Sequence, residues 1–372
     1  MALVDQAQVP GFPGIRGFAM EFSPVFRESM LEAGKYRLNG GLAGLELEPI
    51  SILALSGGGP NGAFAAGFLK GWTQTGERPR FDLVTGVSTG SLIAPFAFLG
   101  SEYDEVLKGL YTSSSSKKMF KLLPFWRILP SNALYDVRAL RKLIAGAIDE
   151  QVLRKIATEH QSGRRLFMLT TNLDVGRAVV WDMGKIASSK NLGALDLFRK
   201  IMLASASIPL AYPPVFFEVE VDAATYGEMH MDGGVASQVF TVGLLTDLRE
   251  LRDTLGLSAE FHRSRVYVLR NGVPRATWSY TPADLTSIGL RSVTIATNSM
   301  ALGDLLRIHE LCQQNDLEFL LAASPVDLAP DGSVDYGLKE LRALYEAGRE
   351  SGLSASPWLT HPFDMLTVPQ GR

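Results

Sequence analysis

Cysteine is nearly absent from these 372 residues, with Cys312 the single one. That excludes an intramolecular disulfide and any cysteine-based zinc cluster, and leaves Cys312 to read as a small buried hydrophobe. An excess of charge of one sign is missing too: 36 Lys and Arg stand against 39 Asp and Glu, for a net charge of -3. Such a balance argues against a dedicated nucleic-acid binder. No run approaches the roughly 18 uninterrupted apolar residues of a membrane-crossing helix, so any membrane contact is expected to be peripheral. The opening stretch, Met1-Ala-Leu-Val-Asp-Gln-Ala-Gln8, has neither a basic segment nor an apolar core. No signal peptide is therefore expected, and a cytoplasmic location is the default, with export if a leader was removed. No internal repeat or low-complexity linker is visible. No cluster of His, Asp and Glu has metal-ligand spacing and no Asp-x-Asp-x-Asp-Gly loop occurs, so neither metal nor cofactor is expected.

What is present is the composition of an ordinary globular protein, 46% hydrophobic and 20% charged, which favours small or lipid-like substrates. Residues 1–49 carry Pro10, Pro13 and Pro24 among scattered glycines, with one short helix expected near Phe26–Ala33, and read as an arm laid over a domain. From Ile52 the pattern changes. Ile-Leu-Ala-Leu is a short continuous apolar run, as expected for a strand buried on both faces of a parallel sheet. The helix after it, about Asn61 to Thr73, places Phe64, Phe68 and Trp72 four apart on one face. Further on, strands expected at Phe81–Val84, Arg165–Thr171, Ala178–Asp182, Val215–Val221, Tyr226–Met231 and Val266–Arg270 alternate with helices. That alternation predicts an α/β layered domain over residues 50–275. Beyond Asn271 the pattern is mostly helical, from about Leu285 to Asn315 and from Val334 to Glu350. Residues 276–372 are thus expected to form a C-terminal helical extension packed on the same domain.

Two glycine turns stand out. Gly86-Val-Ser-Thr-Gly90 fits G-x-S-x-G, in which a sharp turn between strand and helix holds a serine in strained geometry. This makes Ser88 the candidate nucleophile. One helix earlier, Gly57-Gly-Gly-Pro-Asn-Gly62 also matches the dinucleotide fingerprint G-x-G-x-x-G. That reading needs an acidic residue at the end of the next strand, where the chain instead has Ser88 and its glycines. A phosphate-binding P-loop fails as well, because no Lys-Ser or Lys-Thr follows. The remaining functional reading is an oxyanion hole, with the N–H groups of Gly57, Gly58 and Gly59 facing the negative oxygen of a tetrahedral intermediate; one such donor is commonly worth ~3 kcal/mol.

A serine hydroxyl needs a base. The five histidines are His160, His230, His262, His309 and His361, and none lies in glycine-rich turn chemistry. A Ser…Asp…His order would leave His262, His309 or His361, each of which reads more simply as a surface or packing residue. Met231-Asp-Gly-Gly-Val235 differs, since a strand-like stretch ends there in an aspartate followed by two glycines that permit close approach.

Taken together, these motifs make the chain resemble the patatin-like phospholipases. Gly57-Gly-Gly-Pro-Asn-Gly62, Gly86-Val-Ser-Thr-Gly90 and Asp232-Gly-Gly234 follow that family's order. Ala204-Ser-Ala-Ser-Ile-Pro-Leu-Ala-Tyr-Pro-Pro214 is similar to its Ser-x-x-x-Pro-x-x-Phe-Pro-Pro segment. The resemblance spans about residues 51–240. It implies a three-layer α/β/α fold around a mostly parallel sheet, a glycine-loop oxyanion hole, and a Ser88–Asp232 dyad that cleaves lipid esters without histidine. Many members carry a basic residue where Asn61 stands, so here the loop is left to its backbone donors. Alternatives from other classes are a nucleotide- or lipid-binding module with a structural serine, and a Ser-His-Asp esterase using His262 or His309. Residues 117–130, with basic Lys117, Lys118 and Lys121 before Phe125 and Trp126, read either as a membrane-contact segment or as a loop covering the core. Asp174 reads as a turn residue near the sheet's edge.

Overall fold

The computed structural model describes residues 2–19, 23–39, 49–113, 133–241, 264–272, 278, 280–324 and 336–366. The segment 117–130 and His262 lie outside the described residues. Among the described residues nine strands form one sheet: β1 (Arg16–Phe18), β2 (Ser51–Leu55), β3 (Leu83–Val87), β4 (Arg165–Asn172), β5 (Arg177–Asp182), β6 (Val215–Val221), β7 (Ala224–Asp232), β8 (Arg265–Arg270) and β9 (Glu318–Ala323). They run in the order β1-β5-β4-β3-β2-β8-β9, with the β6–β7 hairpin attached through β7 to β4. From β4 to β9 the neighbours are parallel, whereas β1, β5 and β7 pair antiparallel.

The helices that matter here are α1 (Pro24–Asn39), α2 (Gly62–Thr75), α3 (Thr89–Leu99), α4 (Asp104–Thr112), α5 (Arg138–Ala147), α6 (Glu150–Gln161), α7 (Ala194–Ser205), α8 (Leu285–Gln314) and α9 (Leu338–Leu353). They lie on both faces of the sheet, because successive strand side chains point to opposite sides. Ile52 and Ala54 of β2 join Phe26 of α1 and Leu305, Ile308 and Cys312 of α8 in one core. Leu53 and Leu55 join Phe64 of α2, Ile93 of α3, Phe198 of α7 and Tyr345 of α9 in the other. The three layers are thus helix, sheet and helix around a mostly parallel sheet, and the C-terminal region is largely helical. Among the described residues no helix is long and apolar enough to cross a membrane.

Two expectations need correction. Residues 1–49 are more than an arm over the domain: β1 is an edge strand of the sheet, and α1 runs twice the expected length, with Phe26, Met30 and Leu31 on its core face. Likewise the C-terminal region is not only helices. Glu318–Ala323 forms β9, whose parallel register with β8 makes it a sheet edge, so Val266–Arg270 is not the last strand.

Helix α9 packs on α2 through bare backbone. Gly67 and Gly71 of α2 meet the carbonyls of Tyr345 and Arg349, and Gly348 and Gly352 of α9 meet those of Phe64 and Phe68; a methyl group at any of the four would overlap backbone oxygen. Beside this contact Trp72 stacks on Phe81, Tyr267 and Trp358, with centroids 5.7, 4.9 and 4.9 Å away.

The N-terminal strand is fastened by a buried ion pair. Arg16 Nη1 and Nη2 donate to the two carboxylate oxygens of Glu228 on β7 at 2.5 and 2.8 Å, and Arg16 Nε donates to the Ala7 carbonyl. Burial alone would raise the Glu228 carboxyl, yet hydrogen bonds from Arg16 and His230 outweigh it and hold it at about 2. A depressed acid contributes stability above its unfolded value, near ~4, that is lost as pH falls toward the folded one. Arg16→Ala should therefore lose about 3–5 kcal/mol in urea unfolding at pH 7, since a buried carboxylate is left unpaired. The deficit should shrink as pH falls from ~4 toward about 2, the range over which the pair's contribution is lost. A constant deficit across that range would show that packing, not the pair, fastens β1.

Candidate active site

Strand β3 ends at Val87, and the chain turns abruptly into α3. Ser88 stands at the turn with φ 54° and ψ -122°, a left-handed conformation that side chains rarely adopt. Such strain costs of order 1–3 kcal/mol and persists only where the surroundings over-determine it. They do so here. The Ser88 amide donates to Ser205 Oγ at 3.1 Å, and its carbonyl accepts from both the amide and the hydroxyl of Ser91. Two residues on, Gly90 lies so close to the Leu55 carbonyl that no side chain fits. The hydroxyl of Ser88 is thereby fixed at the carboxyl end of the sheet, and the residue is only 5% exposed.

Asp232 arrives from another direction. It closes β7 and caps the turn Gly233–Val235, accepting from the Gly234 N–H at 2.7 Å. Its amide donates to the Ser207 carbonyl and its own carbonyl accepts from Thr171 Oγ1 at 3.0 Å. The register of β3 and β7 on β4 brings the Ser88 side chain next to this carboxyl. Burial pushes the acid up to about 7, against the opposing pull of Ser88 and of the Gly234 hydrogen bond.

The glycine loop lies across from them. Gly57 N–H donates to the Gln238 carbonyl at 2.9 Å, so it is committed to the fold and the expected trio of donors narrows to two. Among the described residues nothing accepts from the N–H of Gly58 or Gly59. Asn61, which carries no charge, accepts from the Tyr336 hydroxyl at 2.6 Å. Under the loop, Arg270 at the end of β8 donates to the Gly57 carbonyl at 3.0 Å, and Asn271 binds the carbonyl and hydroxyl of Ser56.

Gln238 ties the loops together. Its carbonyl holds Gly57 while its Nε2 donates to the Gly234 carbonyl at 2.9 Å. It is itself held by Asp304 of α8, whose Oδ2 accepts from the Gln238 amide at 2.7 Å and from Ser237 Oγ at 3.1 Å. Burial raises the Asp304 carboxyl despite hydrogen bonds from Gln238 and Arg307. None of Gln238, Arg270 or Asp304 stood out in the sequence, where the sole clue was a charged residue ending the apolar run of β8.

The histidines are placed elsewhere. Both ring nitrogens of buried His230 are used, one with Thr170 Oγ1 at 2.9 Å and the other with Glu228 at 3.1 Å. His160 lies 3.7 Å from Asp182, and His309 stacks against Phe319 and His361. Asp174 holds a turn, accepting from the Met229 amide. Among the described residues no group of three His, Cys, Asp or Glu converges as a metal site requires. Beside Asp232 opens an apolar pocket of about 470 Å³, with Leu210, Met231 and Val235 on one side and Val293, Ala296 and Met300 of α8 on the other. Its size is that of an ordinary small-molecule site, roughly 300–1,000 Å³.

A patatin-like phospholipase family model matches residues 53–245. The chain belongs to that family. Among curated proteins, the uncharacterized protein R571 of Acanthamoeba polyphaga mimivirus is 26% identical over 215 residues, covering 57% of this chain and 66% of that protein. A cUMP-AMP-activated phospholipase of Escherichia coli is 42% identical over 71 residues, 18% of this chain and 22% of that protein. The matched stretches thus span less than two thirds of these relatives' own length. Among solved structures, VipD from Legionella pneumophila is similar with a TM-score of 0.42 and 11% identity, covering 86% of this chain and 67% of that one. The patatin-like match contains Ser88, Asp232 and the glycine loop, whereas Arg270, Asp304 and Tyr336 lie outside it.

The raised acid sets a pH signature in stability. Because folded Asp232 keeps its proton to about 7 while the unfolded aspartate loses it near ~4, the native state binds the extra proton between those values, and stability falls as pH rises through them. Asp232→Asn removes that penalty. Thermal unfolding should find the variant no more stable than wild type at pH 4 and increasingly more stable toward pH 8; an advantage that does not grow with pH would mean that Asp232 is not a buried, raised acid.

Proposed function

We propose that this chain is a serine acyl hydrolase that cleaves carboxylic esters of lipids, phospholipids or related glycerolipids foremost, with Ser88 as nucleophile and Asp232 as its base. The observation that carries this reading is the register that seats Ser88, one residue past the end of β3, beside the buried Asp232 at the end of β7, whose carboxyl burial raises to about 7. An ordinary aspartate is a feeble base for a hydroxyl, but one poised near working pH combines the ionised form with a real affinity for the proton. No histidine is needed.

In the first step the Asp232 carboxylate takes the Ser88 proton as Oγ bonds to the ester carbonyl carbon. The carbonyl electrons move onto oxygen, where the N–H groups of Gly58 and Gly59 meet the new charge. Collapse of this intermediate breaks the bond to the alkoxy group, which leaves with the proton held by Asp232. Water then gives a proton to Asp232 and attacks the acyl-enzyme, and the fatty acid departs as the proton returns to Ser88 Oγ. The strained elbow at Ser88 favours this cycle, since the hydroxyl is held at the sheet edge rather than folded back on the helix.

The pocket beside Asp232 supports a lipid substrate. Its walls are apolar and offer nothing to a charged headgroup, so it suits the acyl chain. Helix α8 supplies one wall from outside the family match, so chain-length preference is the business of this chain in particular.

Three outcomes are expected. Ser88→Ala and Asp232→Asn should each lower turnover about a thousandfold or more, while His309→Ala stays within about threefold. Turnover should rise with pH through about 7 and then level off, because the base acts only when ionised. A folded Asp232→Asn protein that still reacts with a fluorophosphonate probe at the wild-type rate would sink the dyad. Val293→Trp should shift preference toward shorter acyl chains by roughly tenfold in kcat/KM, as expected when ~1–3 kcal/mol of pocket contact is lost. Equal losses on all chain lengths would place the chain elsewhere.

A further inference from the structure

Arg270 is 2% exposed, and every hydrogen bond it makes goes to a neutral group: the Gly57 carbonyl at 3.0 Å, Ser56 Oγ at 3.3 Å and Asn298 Oδ1 at 3.1 Å. Among the described residues it has no ion-pair partner. The carboxylate whose charge reaches it, Asp304, is bonded instead to Arg307 and to the Gln238 amide. A buried cation without a direct counter-ion is unfavourable by itself and calls for an explanation.

Its position supplies one. The Gly57 carbonyl and the Gly58 N–H are the two ends of one peptide group, and the first accepts from the guanidinium while the second is unclaimed. A cation at the oxygen draws electron density along the amide and makes its N–H a stronger donor. The loop from Ser56 to Gly62 has no charged side chain of its own, and its Asn61 is occupied by Tyr336. Arg270 is therefore the charge seated on the loop.

We propose that Arg270 is a positioning residue that polarises the Gly57–Gly58 peptide, so that the Gly58 N–H stabilises the anionic tetrahedral intermediate more strongly than a neutral loop would. The proposal rests on the hydrolase reading. Because the guanidinium is already oriented before substrate binds, no reorganisation accompanies the appearance of charge. The missing counter-ion follows from the same logic, since a carboxylate on Arg270 would cancel the field at the donor.

The test compares wild type, Arg270→Gln, Arg270→Lys and Ser88→Ala with p-nitrophenyl butyrate and with a trifluoromethyl ketone that forms a tetrahedral adduct, after circular dichroism and thermal melts establish folding. Arg270→Gln should lower kcat about 100-fold, the scale of one oxyanion donor, while KM changes less than about threefold. Affinity for the ketone should fall in parallel. Arg270→Lys should recover about tenfold of kcat, because charge returns without the full hydrogen-bond set. A folded Arg270→Gln enzyme with kcat within threefold of wild type overturns the proposal, as does a Lys variant no better than Gln. Should Arg270→Gln not fold, Asn298→Asp neutralises the guanidinium in place and should lower kcat about tenfold with KM unchanged; an unaltered kcat overturns the proposal equally. Wild-type protein that hydrolyses no ester and ignores the ketone overturns the hydrolase reading and this inference with it.

Discussion

The site depends on one strand having two different partners along one edge. Strand β4 pairs with β5 over Phe167–Asn172, so its other edge is shared: Leu169 faces Val87 of β3, and the next residue, Thr170, faces Asp232 of β7. Because β3 stops at Val87, β7 enters antiparallel where β3 leaves off, and Ser88 and Asp232 meet although 144 residues separate them. A slip of one residue in the β4–β7 ladder would turn the Asp232 side chain to the opposite face of the sheet. The apolar residues of β4, buried on both faces, forbid that slip.

Two buried charges are built around this point in complementary ways. Asp232 has hydrogen-bond donors but no cation to hold it ionised, so its affinity for a proton rises. Arg270 has acceptors but no carboxylate in contact, so its field is spent on a peptide group. In a structural ion pair such as Arg16–Glu228 each charge quenches the other, and the pair fastens an edge strand. Around the glycine loop quenching is avoided, and Gln238 shows how: it binds both loops through neutral amide groups.

Much of the fold, and the two sharp turns that follow β3 and β7, were legible in the sequence, for local reasons. G-x-S-x-G and Asp-Gly-Gly report backbone geometries that few residues tolerate, so they stand out without knowledge of the fold. Strand β9 did not stand out, because Glu318-Phe-Leu-Leu-Ala-Ala323 follows a long helical pattern and contains no turn residue to announce a change of period. The commitment of the Gly57 N–H was equally hidden, since its acceptor Gln238 is fixed by Asp304, a residue 66 positions further along. Glycines four apart in α2 read as weak helix formers until α9 is seen lying against them. Long-range contacts leave no local signature, and the groups that tune this site are of that kind.

The backbone contact between α2 and α9 bears on when the glycine loop acquires its shape. Helix α2 begins where the loop ends, and its partner α9 follows it by more than 250 residues of sequence, so the contact is a long-range one. Chains emerge from the ribosome at about 5–20 residues per second, and domains form as units once their last elements are available. Until residues 336–353 appear, the Gly67 and Gly71 stripe of α2 has no cover and Asn61 has no Tyr336. A nascent chain therefore holds Ser88 and Asp232 about a hundred residues before it holds the partner that seats the glycine loop.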